Sequence, residues 1–119
     1  MSVEKALDHF LGRNGCQRVN CAHALGKAFQ DEAGLSPDVV QSFSRRGHGR
    51  APEGDCGALY AGRVLIAHYD PPREEECVNV FVGEAGARRC RDIRSSRSLT
   101  CAQCVEAVAR YCARIFSSP

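Results

Sequence analysis

Eight cysteines fall in a chain of 119 residues whose apolar side chains recur mostly at helical spacing. A helix buries one stripe of its surface, so cysteines spread over several helices either fill space, join in disulfides, or converge on something they hold. At this length a chain buries about two-thirds of the surface that its unfolded form exposes, enough for a core without cross-links. Cysteine makes up about 7% of the residues, below the roughly 8–10% of small disulfide scaffolds. The sulfur calls for a chemical explanation.

Met1 to Arg13 carries Glu4, Lys5, Asp8 and His9 among its apolar residues, so it lacks the uninterrupted apolar core of a secretory signal, and a cytoplasmic location is expected. Stable disulfides are uncommon there, and clustered cysteines more often ligate metals or cycle in redox reactions. Sixteen basic and fourteen acidic side chains give a net charge of +2, too balanced for a nucleic-acid protein. Arg88, Arg89, Arg91, Arg94 and Arg97 form a local basic run without interleaved aromatic residues, which reads as a solvated loop or helix face. No stretch approaches the length of a membrane span. The expected partner is a redox protein, with neither nucleic acid nor membrane, and an oligomer is compatible with the sequence.

The periodicity predicts an all-α chain, a compact single-domain bundle of five or six helices over residues 1–119. Val3, Ala6, Leu7, Phe10 and Leu11 follow Ser2, a good N-cap, and Gly12 offers a stop. A second helix starts after Asn20, with Cys21 in its first turn, and runs to Gly34. Ser36 and Pro37 open a third. Three glycines and a proline between Arg45 and Asp55 make a loop that leads to Cys56, after which small residues from Gly57 to Gly62 and then Val64 to Ala67 read as a closely packed buried helix. Pro71 and Pro72 break the chain. Three glutamates after them favour a helix through Cys77 to Val82, and Thr100 with Gln103 forms a capping box for the last helix.

Cys101 and Cys104, one turn apart on that last helix, suit joint ligation or a reversible disulfide. They stand near a helix start, as do Cys21 and Cys56, and the helix dipole is expected to lower such thiols from about 8.5 toward the thiolate form. Cys77 and Cys112 lie in apolar stretches and read as packing, while Cys16 fits either role.

Asn20-Cys21-Ala22, a glycine-rich loop into Cys56-Gly57-Ala58, Cys90-Arg-Asp-Ile93, and Cys104-Val-Glu-Ala-Val together resemble the C-GCAxxG-C-C family of redox-active proteins, which is similar to the iron–sulfur domain of split-Soret cytochromes. The resemblance runs from about Asn20 to Ile115. It implies a compact helical fold and carries four signature cysteines onto Cys21, Cys56, Cys90 and Cys104, the expected metal ligands, with the backbone at Gly57 and Ala58 approaching the cofactor. Ala61 stands where the pattern has glycine, with Gly62 beside it, and Ser44, Arg45 and Arg46 replace expected glycines. The added charge suits a polyanionic or charged redox partner.

The expected function is redox, with an iron–sulfur cluster for electron transfer or redox sensing. Its ligands are scattered along the chain, unlike those of ferredoxins, so the cluster type is not readable. One alternative is thiol–disulfide exchange with Cys104 or Cys101 as nucleophile, although a thioredoxin-like strand–helix pattern is missing. Another is an interaction module with a structural zinc site, although only Cys101 and Cys104 form a knuckle-like pair. His23 is expected to be an exposed polar residue, and His48, in the glycine loop, to ligate a metal, polarise a thiol or face water. Val105 after Cys104 excludes c-type haem attachment, and the glycine loop lacks the ending of a phosphate loop.

Overall fold

In the computed structural model, which describes residues 2–117 (only the backbone at Ser2), the chain forms seven α-helices joined by short connections. They are α1 (Ser2–Leu11), α2 (Cys21–Ala33), α3 (Pro37–Ser42), α4 (Gly57–Tyr69), α5 (Glu74–Ala85), α6 (Cys90–Ser96) and α7 (Cys101–Ser117), with single 3₁₀ turns at Phe43–Arg45, Pro52–Gly54 and Pro71–Arg73. The all-α expectation holds, and the helix count is higher than five or six.

Local chemistry sets the helix ends. The Asn20 side chain accepts a hydrogen bond from the His23 N–H at 2.8 Å, and α2 stops at Gly34, whose φ of 71° is left-handed. Ser36 caps α3 through the Val39 N–H, and Pro37 takes the first turn, where its missing N–H costs nothing. At α7 the capping box forms both ways: the Thr100 N–H donates to Gln103 Oε1 at 2.8 Å and the Gln103 N–H to Thr100 Oγ1 at 3.1 Å. The capping role expected of Ser2 rests on its side chain, which lies outside what is described.

The core lies between α2, α4 and α7, with α1 against α2 and α7, and α5 against α4 and α7. Leu25, Phe29, Leu59, Leu65, Ile66, Val105 and Val108 are buried there, each contributing about 1.5–3 kcal/mol relative to exposure. Phe116 closes one end against Phe29 and, edge-on at 4.8 Å, Tyr69. At the other, Phe43 meets Tyr60 edge-on at 5.8 Å. The Tyr111 hydroxyl donates to Glu76 at 2.6 Å and ties α7 to α5.

The small residues of α4 explain its closeness to its neighbours. A Cβ at Gly62 would collide with Val108 of α7, so the tightest approach falls at Gly62, one residue past the buried Ala61. The unexpected seventh helix is α6. It has seven residues, buries Ile93 and ends at Arg97 in left-handed conformation (φ 58°), so it carries neither an apolar stripe nor a glycine stop to mark it in the sequence.

A cysteine-lined cavity at four helix starts

Four helices begin at one place. Cys21 is the first residue of α2, Cys56 caps α4, Cys90 is the first residue of α6 and Cys101 the first of α7, with Cys104 one turn further along α7. All five line a single cavity of about 40 Å³, whose walls are completed by Phe10, His48, Gly57, Ile93, Arg94 and Leu99. The four cysteines expected as a set therefore line one cavity, and Cys101, which the four-cysteine pattern does not require, lines it with them. Cys56 and Cys104 are buried, Cys21 and Cys90 half-buried, and Cys101 is exposed at the edge.

Two sets of contacts hold this end of the molecule together. The Asn20 side-chain amide donates to the carbonyls of Phe43 and Ser44 at 3.2 and 2.9 Å, fastening the glycine loop to the start of α2. On the other side, Asp55 is 3% exposed and receives Arg88 through Nε at 3.1 Å and Nη2 at 2.9 Å, with Arg63 at 3.4 Å. The Cys56 N–H donates to the Arg88 carbonyl at 2.8 Å. Together these clamp the segment before α6 to the start of α4 and so fix Cys90 relative to Cys56. Arg88 thus departs from the solvated role expected of the basic run, whereas Arg89, Arg91, Arg94 and Arg97 are exposed. The sequence hint for Asp55 was only its place beside Cys56.

Gly57 is where close approach matters to the site. A Cβ there would stand 2.6 Å from the Arg46 carbonyl oxygen and 2.7 Å from the Cys21 sulfur, so a side chain at this position would push Cys21 and the glycine loop apart. His48 takes a left-handed φ of 56° in that loop, and its backbone N–H donates to the Cys21 thiol, as does that of Ala22. The N–H groups of Ala58 and Leu59 bond the Cys56 sulfur, which also shares a hydrogen bond with Cys104.

The expectation of thiols lowered by helix starts is corrected. Burial pushes Cys21 up to about 12, and it also raises Cys101. At Cys56 the hydrogen bond to Cys104, with burial second, raises the thiol. The N–H bonds at Cys21 and Cys56 act in the lowering direction but are outweighed, at Cys21 by the withdrawal of sulfur from water and at Cys56 by the hydrogen bond with Cys104 together with burial.

Cys77 and Cys112 lie in the core away from this cavity, 2% and 0% exposed, where their sulfurs stand 3.7 and 3.9 Å from the point a Gly62 Cβ would occupy. Cys16 follows α1, half-buried and outside the cavity. His23 is buried rather than exposed as expected, because α2 turns it inward, and it does not line the cavity. Among the described residues, no three His, Cys, Asp or Glu side chains are grouped closely enough to hold a single metal ion, and no helix is long and apolar enough to cross a membrane.

Fold and cavity together define a helical domain with a cysteine-lined cavity. The chain belongs to the family described as Putative redox-active protein (C_GCAxxG_C_C), whose pattern matches residues 19–115, nearly the whole length. No curated protein matches the chain, and no solved structure does.

Proposed function

We propose that the cavity holds an iron–sulfur cluster and that the protein uses it for electron transfer or redox sensing. The observation that carries this is the convergence of five cysteines from four separate helix starts on one small cavity. The donor set is all sulfur, the soft chemistry that suits iron–sulfur centres and zinc. A void of about 40 Å³ is larger than the roughly 10–15 Å³ that one water needs, and the thiols surround it without meeting at one point, which favours a multi-atom centre over a lone ion.

Cys21, Cys56, Cys90 and Cys104 would hold the cluster. Bound there, it would supply one-electron chemistry at a potential set by its charge and surroundings. The chain prepares for the negative charge of four thiolates. Helices α2, α4 and α7 point their positive ends at the cavity, Ala58 and Leu59 donate N–H bonds to Cys56, and Ala22 and His48 donate to Cys21. Phe10, Ile93 and Leu99 limit water access to the sulfurs.

Anaerobically isolated protein should be brown and contain iron and acid-labile sulfide in comparable amounts. Colourless protein with stoichiometric zinc would overturn this in favour of a structural site. The Cys56–Cys104 hydrogen bond favours a second chemistry, thiol–disulfide exchange within the cavity. Metal-free protein with a reversible two-electron thiol couple would select it. Against it, Cys56 and Cys104 are buried and out of reach of a protein disulfide.

A further inference from the structure

Charge is distributed very unevenly along the chain. Of sixteen Lys and Arg and fourteen Asp and Glu in the chain, residues 44–50 and 88–97 hold eight and one, leaving eight basic against thirteen acidic side chains on all the rest. A net charge of +2 thus conceals a strongly basic end on an otherwise acidic molecule. The two segments are neighbours: a Cβ at Gly49 would stand 3.8 Å from Cys90 Cβ, and His48 and Arg94 both line the cavity. Arg45, Arg50, Arg89, Arg91, Arg94 and Arg97 are exposed, and among the described residues none of them forms an ion pair. The one acid in these segments, Asp92, also stands exposed and outside any ion pair.

Six exposed guanidiniums without an ion-pair partner thus stand on two neighbouring segments that both supply cavity walls, His48 from one and Cys90, Ile93 and Arg94 from the other. They form a basic rim beside the site and repel one another unless something anionic covers them. We infer that this rim is the docking surface for an acidic one-electron carrier protein, whose negative face seats over the cavity mouth. The partner's role rests on the redox function proposed above: one electron leaves the carrier's reduced cofactor and enters the cavity site, oxidising the carrier and reducing the site. Complementary charge accelerates encounter and orients the two centres toward each other, with a strong dependence on ionic strength. A nucleic acid would be drawn by the same charge, but neither segment carries a Phe, Tyr or Trp to offer a base a broad stacking surface.

The test measures binding apart from electron transfer. Flavodoxin, a small acidic flavoprotein, is titrated into the anaerobically isolated full chain by calorimetry at low and at moderate salt, with poly-L-glutamate as a second acidic probe. Two charge-reversed variants change net charge equally: Arg45→Glu, Arg50→Glu and Arg91→Glu on the rim, and Lys5→Glu, Arg73→Glu and Arg110→Glu elsewhere. The expected result is salt-sensitive binding that falls at least tenfold in the rim variant and stays within about twofold of wild type in the other. Equal weakening in both variants would reduce the effect to net charge and overturn the proposal. Absence of salt-sensitive binding to either probe would overturn it too, and so would a duplex oligonucleotide that binds more tightly than flavodoxin through the same arginines. Iron and sulfide analysis of the same samples separates the two claims: intact docking on iron-free protein would sink the cluster and leave the surface standing.

Discussion

The cavity and the centre of the core both gather cysteines, and they treat them differently. Around Gly62, Cys77 and Cys112 are packed by apolar neighbours, and the glycine is small so that α4 can lie against α7. Around Gly57, Cys21, Cys56, Cys90, Cys101 and Cys104 surround open space, backbone N–H groups bond the sulfurs of Cys21 and Cys56, and the glycine is small so that a carbonyl and a sulfur can come close. Position along the helix does not by itself separate the two sets, since Cys77 and Cys104 are each the fourth residue of their helix; α5 carries Cys77 into the core, whereas α2, α4, α6 and α7 all start at the cavity. The same residue type thus divides into structural and chemical roles according to where the assembled fold brings it.

The sharpest way to break this division is to remove one sulfur from each region. Cys56→Ser should abolish nearly all bound iron, whereas Cys77→Ser should leave iron content near wild type and lower only stability. Equal loss in both variants would erase the distinction. Glycine substitutions probe it without touching a thiol. Gly57→Val should lose most of the cofactor, since the side chain would collide with the Arg46 carbonyl and the Cys21 sulfur. Gly62→Val should instead lower the unfolding free energy by about 1–3 kcal/mol, as expected for overpacking a core. Retained cofactor in Gly57→Val would make Gly57 a turn residue only.

The core thiols also predict an alkaline limit to stability. Burial raises Cys77 from 9.0 to about 12 and raises Cys112 as well, the latter also through the nearby Cys77. A thiol whose folded value lies above its unfolded one contributes stability that is complete below the unfolded value. That stability is lost as pH rises toward the folded value, because only the unfolded chain can ionise. Between about pH 9 and 12 each such thiol should cost about 1.4 kcal/mol per pH unit. Denaturant titrations at pH 8, 9.5 and 10.5 should show this slope in wild type and a shallower one in Cys77→Ala; identical slopes would remove Cys77 from the account.

The smallest expected effect concerns Cys101, exposed one turn before buried Cys104. In air-oxidised, cofactor-free protein it should pair with Cys104, a strained bond that loosens the first turn of α7. Non-reducing peptide mapping would read the pair. A Cys56–Cys104 pair would favour the exchange chemistry, and free thiols at both positions would leave Cys101 as a wall of the cavity.

Much of this was legible in the chain. Asn20, Gly34, Ser36, Pro37, Thr100 and Gln103 mark helix ends by chemistry confined to a few neighbouring residues, so sequence alone exposed them. Small residues after Cys56 announced a close approach without saying to what; Cys21 and Val108 come from distant segments. Helix α6 stayed hidden because tertiary contacts hold it, among them the Asp55–Arg88 pair that anchors the segment before it. The direction of the thiol shifts was missed for a related reason. Closeness to a helix start is visible in sequence, but depth of burial is a property of the assembled fold, and burial won.

The most direct test of the central claim is anomalous diffraction at the iron edge from crystals of the anaerobically isolated protein. The account predicts iron inside the cavity, bonded to the sulfurs of Cys21, Cys56, Cys90 and Cys104, with Cys77 and Cys112 unliganded. Zinc at that place, or a metal-free cavity bridged by a Cys56–Cys104 disulfide, would contradict it.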